Sequence, residues 1–295
     1  MKINAIILLF SITTATAVHA QDTAALPKPT VKPPASYFSA TLSYLSNAVY
    51  NGRKDSVTTP YITPVIGYYD KSGFFIDGSL SYLARNGSSR VDLFTLDAGY
   101  DFNLGNFDGE LSASKYFYNN SSTNVSSGIT GGVYFSGGYD FLYIKPLIDA
   151  GINFGSSSDY TMSFGLEHSF YGFKDRLQVT PGIKGAGSTQ NYYGEYYNRR
   201  TLRNRKRNNG MVYEVSASVE NASAFKLLDY QFSMPVSYTI KKCSFIFSPV
   251  YVLPVNPAVV NIQLIPVGGG TTITKTSVEA ISPSFYWSFS LNYSF

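Results

Sequence analysis

The chain has 295 residues, of which 16% are aromatic and only 14% charged, with a formal net charge of +4 at pH 7. That charge is too small to point to nucleic acid as a partner, and 14% charged residues is well below the roughly 25% of average soluble domains. The single cysteine, Cys243, excludes an internal disulfide, and with so few His the chain offers no cluster at metal-ligand spacing.

The mean hydropathy of −0.05 hides an alternation. A strand with every second residue apolar averages near zero while one of its faces is fully hydrophobic. After the N-terminal run, no segment reaches the roughly 18 apolar residues of a membrane helix.

Taken in chain order, residues 1–20 read as a secretory signal peptide. Lys2 precedes an apolar run from Ala5 to Phe10, and Val18 and Ala20 suit a cleavage site before Gln21. No Cys closely follows the apolar run, so a lipid-anchored mature N-terminus is not expected. Residues 21–36 are Pro-rich (Pro27, Pro29, Pro33, Pro34) and read as an extended periplasmic lead-in.

From Tyr37 the chain alternates in segments of about a dozen residues broken by turn residues. Phe74, Ile76, Leu80 and Tyr82 oppose Phe75, Asp77, Ser79 and Ser81. Ile144, Ile148, Ala150 and Ile152 oppose Lys145, Asp149, Gly151 and Asn153. The polar parity is rich in Ser, Thr, Gly and Asp rather than the Lys and Glu of a solvated sandwich. Aromatics such as Tyr100, Phe102, Phe154, Phe170 and Tyr238 sit near segment ends, as a membrane girdle requires. Short turns (70–73, 103–106, 241–242) alternate with longer polar connections (51–56, 119–124, 192–210).

The predicted strands are 37–50, 59–69, 74–85, 91–102, 107–118, 128–139, 142–154, 160–171, 176–190, 225–240, 244–255 and 282–295. The fold class is all-β, a transmembrane antiparallel up-and-down barrel over 37–295 of about 12 strands. Val212 to Val219 also alternates, so 14 strands fit the pattern as well. Val259 to Val267 and Thr271 to Val278, joined at Gly268 to Gly270, read as strand extensions above the membrane. The last strand is the cleanest copy of the pattern: Phe285, Trp287, Phe289, Leu291, Tyr293 and Phe295 share one face, with Ser288 and Ser290 on the other.

The signal peptide, the alternating segments and the Phe-terminated last strand resemble a Gram-negative outer-membrane β-barrel protein of porin-like type. The resemblance covers about 37–295 and implies residence in the outer membrane, contact with its lipid and lipopolysaccharide, and no cofactor. The terminal motif resembles the signal read by the barrel-assembly machinery, carried here by Tyr293 and Phe295.

Three groups of residues are candidates for chemistry. Outer-membrane lipid hydrolases place a His and a Ser two apart on one strand face. Here His168 is followed directly by Ser169, on the opposite face, and Phe170 occupies the matching position. An outer-membrane protease of the aspartyl–histidine type needs its His at the outer rim, and His168 is predicted at the periplasmic end. No enzyme is expected, and His168 reads as part of the aromatic girdle.

The second group is charged and shares parity with the lumen: Asp77, Asp97, Asp101, Asp108, Glu110, Asp149, Glu167 and Asp229, with Lys145 and Lys184. Such charges either brace a barrel in pairs or line a water path that selects ions. The third is Arg199, Arg200, Arg203, Arg205, Lys206 and Arg207, preceded by Tyr192, Tyr193, Tyr196 and Tyr197, predicted on the largest external loop. Clustered Arg suits lipopolysaccharide phosphate or another anion. Lys115, on the lipid parity, is predicted to reach toward the same phosphates. The expected function is a passive channel for small hydrophilic solutes. The alternatives are a non-conducting adhesin or scaffold acting through 198–208, and a lipid hydrolase.

Overall fold

The computed structural model describes residues 35–295 apart from 142, 203–206, 209–210 and 268–269, together with the backbone of 12–13 and 28–29. The expected signal peptide and most of the lead-in therefore lie outside the described residues. Ser36, the end of the lead-in, is held on the barrel, donating its hydroxyl to Asp70 at 2.8 Å.

Among the described residues, twelve antiparallel strands close into one barrel. They are β1 (Tyr37–Leu45), β2 (Tyr61–Tyr69), β3 (Phe74–Leu83), β4 (Arg90–Leu104), β5 (Phe107–Tyr118), β6 (Gly131–Tyr139) and β7 (Lys145–Phe154). Three strands are each interrupted once: β8 (Asp159–Glu167 and Phe170–Gly172), β9 (Leu177–Val179 and Gly182–Ser188) and β10 (Lys226–Ser233 and Val236–Ile240). In β9 and β10 the interruption falls at Pro181 and Pro235, which have no N–H for the ladder. The set ends with β11 (Cys243–Pro254) and β12 (Ser284–Ser294).

Closure is made by β12, which pairs with β11 on one side and β1 on the other. Closing the sheet gives each strand two neighbours, the condition for placing backbone in a bilayer. Large apolar side chains stand on the outside, including Ile66 at 68% exposure and Phe74 at 63%. In water such a surface would be a strong association liability. It is the exterior that a lipid-facing barrel needs.

Both chain ends of the barrel lie at the same end, the turn end. There the connections are tight: Gly73 (φ 106) and Gly105 (φ 69) supply left-handed backbone, as does Lys241 (φ 55). The opposite, loop end carries the long connections.

The register places twelve strands in the wall, not fourteen. Met211–Val219 pairs with Val259–Pro266 in a separate sheet that also holds Ile273–Val278 and the short piece Arg207–Asn208. Because β9 pairs directly with β10, no place is left for it in the wall. The predicted extension is thus present, with Met211–Val219 as a further member. The connection 192–210, read as loop, opens with a helix, α1 (Asn191–Leu202). The hydrophobic packing is concentrated at the loop end, where loops meet the barrel mouth.

Candidate functional site in the barrel lumen

Below the loop end the lumen is lined by short polar and charged side chains. Asp77 (β3), Asp97 and Asp101 (β4), Asp108 and Glu110 (β5), Asp149 (β7) and Glu167 (β8) occupy inward register positions with Lys145 (β7) and Lys184 (β9), and Asp229 (β10) stands inward nearer the loop end. Two pairs of carboxylates stand directly opposite each other: Asp77 against Asp97, and Asp101 against Glu110. Like charges in that relation destabilise one another unless other groups offset them.

The two lysines are braced by acids across an intervening strand. Lys145 Nζ lies 2.8 Å from Asp108 and 3.7 Å from Asp140. It passes over Gly138 of β6, where a Cβ would collide with Lys145 Cε. Lys184 Nζ lies 3.7 Å from Asp149, which also accepts a 2.6 Å hydrogen bond from Ser163. Asp97 accepts from the Ser114 hydroxyl. Five of the carboxylates stand on β3–β5, and the lysines reach in from β7 and β9. At the turn end beside those carboxylates, Tyr37, Tyr69 and Phe75 stack inward, with centroids 5.0 Å and 5.8 Å apart.

At the loop end the mouth is crossed by a lid. The β1–β2 connection folds into a hairpin, Val49–Tyr50 against Arg53–Lys54. Its turn residues Asn51 (φ 47) and Gly52 (φ 73) both have positive φ, as a tight Asn-Gly hairpin demands. A Cβ at Gly52 would lie 3.0 Å from the Cβ atoms of Asp229 and Pro254, so the tip rests on the β10–β11 wall. On the other side Tyr50 takes a 3.0 Å hydrogen bond from Asn153 of β7. Asn153 in turn accepts from Tyr134 at 2.6 Å, and Tyr134 meets the Tyr116 hydroxyl at 3.0 Å. The hairpin therefore spans the barrel from wall to wall.

Arg53 ties the lid together and is only 2% exposed. Its guanidinium donates to the carbonyls of Asn51 (2.9 Å), Leu228 (3.3 Å) and Asn256 (2.9 Å) and pairs with Glu279 at 3.4 Å. Glu279, from the β11–β12 connection, also accepts from Ala258 N–H (3.0 Å) and the Tyr193 hydroxyl of α1. Hairpin, helix and connection thus share one network.

The helix is anchored from below. Asp159, the first residue of β8, accepts the backbone N–H groups of Asn191 (2.7 Å) and Tyr192 (2.8 Å), supplying the cap that the helix sequence lacks. Tyr192, Tyr193 and Tyr196 then pack with Tyr50, Leu93, Tyr116 and Ile129 in one buried cluster. Burial, reinforced by nearby Glu279 at Tyr193 and by Tyr192 and Asp159 at Tyr50, pushes those phenols well above their ordinary pKa. Burial does the same to Tyr192. The lid tyrosines are therefore neutral hydrogen-bonding groups at ordinary pH.

The other predicted residues fall as follows. Arg203, Arg205 and Lys206 lie outside the described residues. Only the backbone of Arg199, Arg200 and Arg207 is described, the first two in α1 and the third in a short bridge to Val212. His168 packs its ring edge-on against outward Phe170 at 4.5 Å. Ser169 points the other way, meeting Thr180 and Gln178 at 3.0 Å. Tyr293 and Phe295 form an edge-to-face pair at 4.9 Å on the outer surface. The lid was the part that sequence reasoning missed. Its usable signals were Asn51-Gly52 between short alternating pieces and tyrosines at helical spacing in 192–197.

The chain has the architecture of an outer-membrane β-barrel. No family model matches the sequence, and no curated protein matches it. Among solved structures the chain is similar to the KdgM porin, with 12% identity and a TM-score of 0.44 over 87% of this chain and 99% of that one. It is also similar to an outer-membrane channel from Pseudomonas putida F1, with 10% identity and a TM-score of 0.44 over 91% and 99% of the two chains. OmpF of Salmonella typhi, in complex with daunomycin, shares 8% identity with a TM-score of 0.33 over 88% and 97%. These resemblances are of general barrel form.

Proposed function

We propose that the protein is a passive outer-membrane channel for small hydrophilic solutes, cation-preferring, with its external mouth closed by the lid in the conformation described. The turn end then faces the periplasm and the loop end the outside. The observation that supports this reading is the charged lumen. At the inward positions of the wall strands carboxylates outnumber lysines and arginines, on a face otherwise rich in Ser, Thr and Gly. Holding charges away from water costs several kcal/mol per ion. Most of these side chains are buried and the lysines are paired, Lys145 with Asp108 and Lys184 with Asp149, so this reading takes them as the lining of a narrow polar path. No enzymatic step belongs to this reading.

The test is conductance in planar bilayers. The lid is expected to hold the wild type in small or infrequent openings, and Arg53→Ala to give larger or longer ones. A second reading, a non-conducting adhesin or scaffold, draws support from the tightly packed lid and the sheet projecting beyond it. Replacing Arg199, Arg200, Arg203, Arg205, Lys206 and Arg207 with Gln separates the two. A channel keeps its lid-dependent conductance, while an adhesin working through the basic segment loses partner binding.

A further inference from the structure

The outer surface carries one charge that the lumen does not use. Among the described barrel strands, Lys115 of β5 is the only Asp, Glu, Lys or Arg at an outward register position, and it is exposed. Its ammonium sits 5.8 Å from the centroid of Phe117, which is farther toward the loop end. Its stem lies over Gly131 of β6, where a Cβ would stand 3.7 Å from Lys115 Cδ. An ammonium on a lipid face destabilises a barrel most at the bilayer midplane and least near the interface. The direction of this side chain, toward the loop end, is that of a lysine reaching for the interface.

Beside it, on the same face, is an apolar groove of about 400 Å³. Its floor is Ala150 of β7, and its walls include Leu111, Phe135, Met162, Val133 and Ile152. The register orders these residues in rows. Leu111, Phe135, Ala150 and Met162 form one row, and Val133 and Ile152 belong to the next. Lys115 and Gly131 stand in the row after that, toward the loop end. Successive rows are about 7 Å apart, so the groove leads up to the lysine. Ala150 makes the depression because its row neighbours Phe135 and Met162 are long.

We propose that one phosphorylated lipid of the outer leaflet docks on β5–β8, with an acyl chain over Ala150 and its phosphate on Lys115 Nζ. The inference rests on the outer-membrane reading above. The groove alone would accept any hydrocarbon. The fixed cation at its loop end is what selects a lipid whose head group carries negative charge at that height, with Lys serving phosphate as a point charge.

The test uses the full mature chain, purified and stripped of lipid in mild detergent, then titrated with diphosphoryl lipid A or its dephosphorylated form. Binding is read by native mass spectrometry. The wild type and Lys115→Arg are expected to retain one phosphorylated lipid. Lys115→Gln is expected to weaken retention about tenfold, the scale of one charge-assisted contact. Ala150→Phe, which fills the groove without touching the charge, is expected to weaken both lipids. Equal retention by wild type and Lys115→Gln, or no preference for the phosphorylated form, overturns the site. Insertion of the same proteins into lipid vesicles is measured in parallel. Failure to insert contradicts the membrane reading, while insertion with lipid binding indifferent to Lys115 removes the docking site alone.

Discussion

Arg53 is the residue on which the loop end depends. It is almost fully buried and has three backbone carbonyls and one carboxylate as partners. Removing one member of a buried ion pair typically destabilises by about 3–5 kcal/mol, because the other charge is left unpaired. Arg53→Ala and Glu279→Gln should therefore release the lid while the barrel wall stays closed. Limited proteolysis should cut near 51–56 in either variant and spare it in the wild type. A lid equally resistant in all three would mean that this network does not hold it.

At the other end, Asp70 shows a carboxylate tuned chiefly by hydrogen bonds. Donors from Ser72, its hydroxyl and its backbone N–H, and then the Ser36 hydroxyl hold its pKa well below the usual range. A carboxylate with a depressed folded pKa supports the fold above its unfolded value, near 4, and loses that support only as pH falls through the lower folded value. Acid titration followed by NMR should find the Asp70 midpoint below that of a free aspartate, and Ser36→Ala should move it upward.

At the scale of elements, the strands were legible and the lid was not. A period of two repeated along 37–295 sets which face of each strand meets lipid, and turn residues set where each strand ends. The inward positions of Asp97, Asp149 and Lys184 followed directly from that parity. The fate of Met211–Val219 did not, because alternation is common to a wall strand and to a strand in an external sheet. Only long-range pairing with Val259–Pro266 separates them.

Helix α1 was hidden for a related reason. Its cap, Asp159, lies on another strand, and its apolar stripe is made of tyrosines, which also suit a polar loop. Asp159→Ala should loosen the first turn of the helix by about 1 kcal/mol, within the 0.5–2 kcal/mol range of a lost N-cap. Faster amide exchange at Asn191 to Tyr193, with the strands unchanged, is the expected reading. Unchanged exchange there would show that tyrosine packing alone holds the helix.

For the whole molecule, the two ends of the barrel have opposite character. The turn end is a charged, polar lumen whose acids concentrate on β3–β5, and the loop end is a packed, hydrogen-bonded closure. The acid excess should set ion preference once the lid is released. In a lid-released background, Asp97→Asn with Glu110→Gln should shift the reversal potential in a salt gradient toward zero cation preference. A reversal potential indifferent to both would place the conducting path elsewhere or nowhere.

The most direct test of the account is single-channel recording of the wild type beside Arg53→Ala, both shown to be folded barrels. The account predicts cation-preferring openings that become larger or longer when the lid is released. Folded, inserted barrels of both proteins that pass no current would contradict it and leave the non-conducting reading in its place.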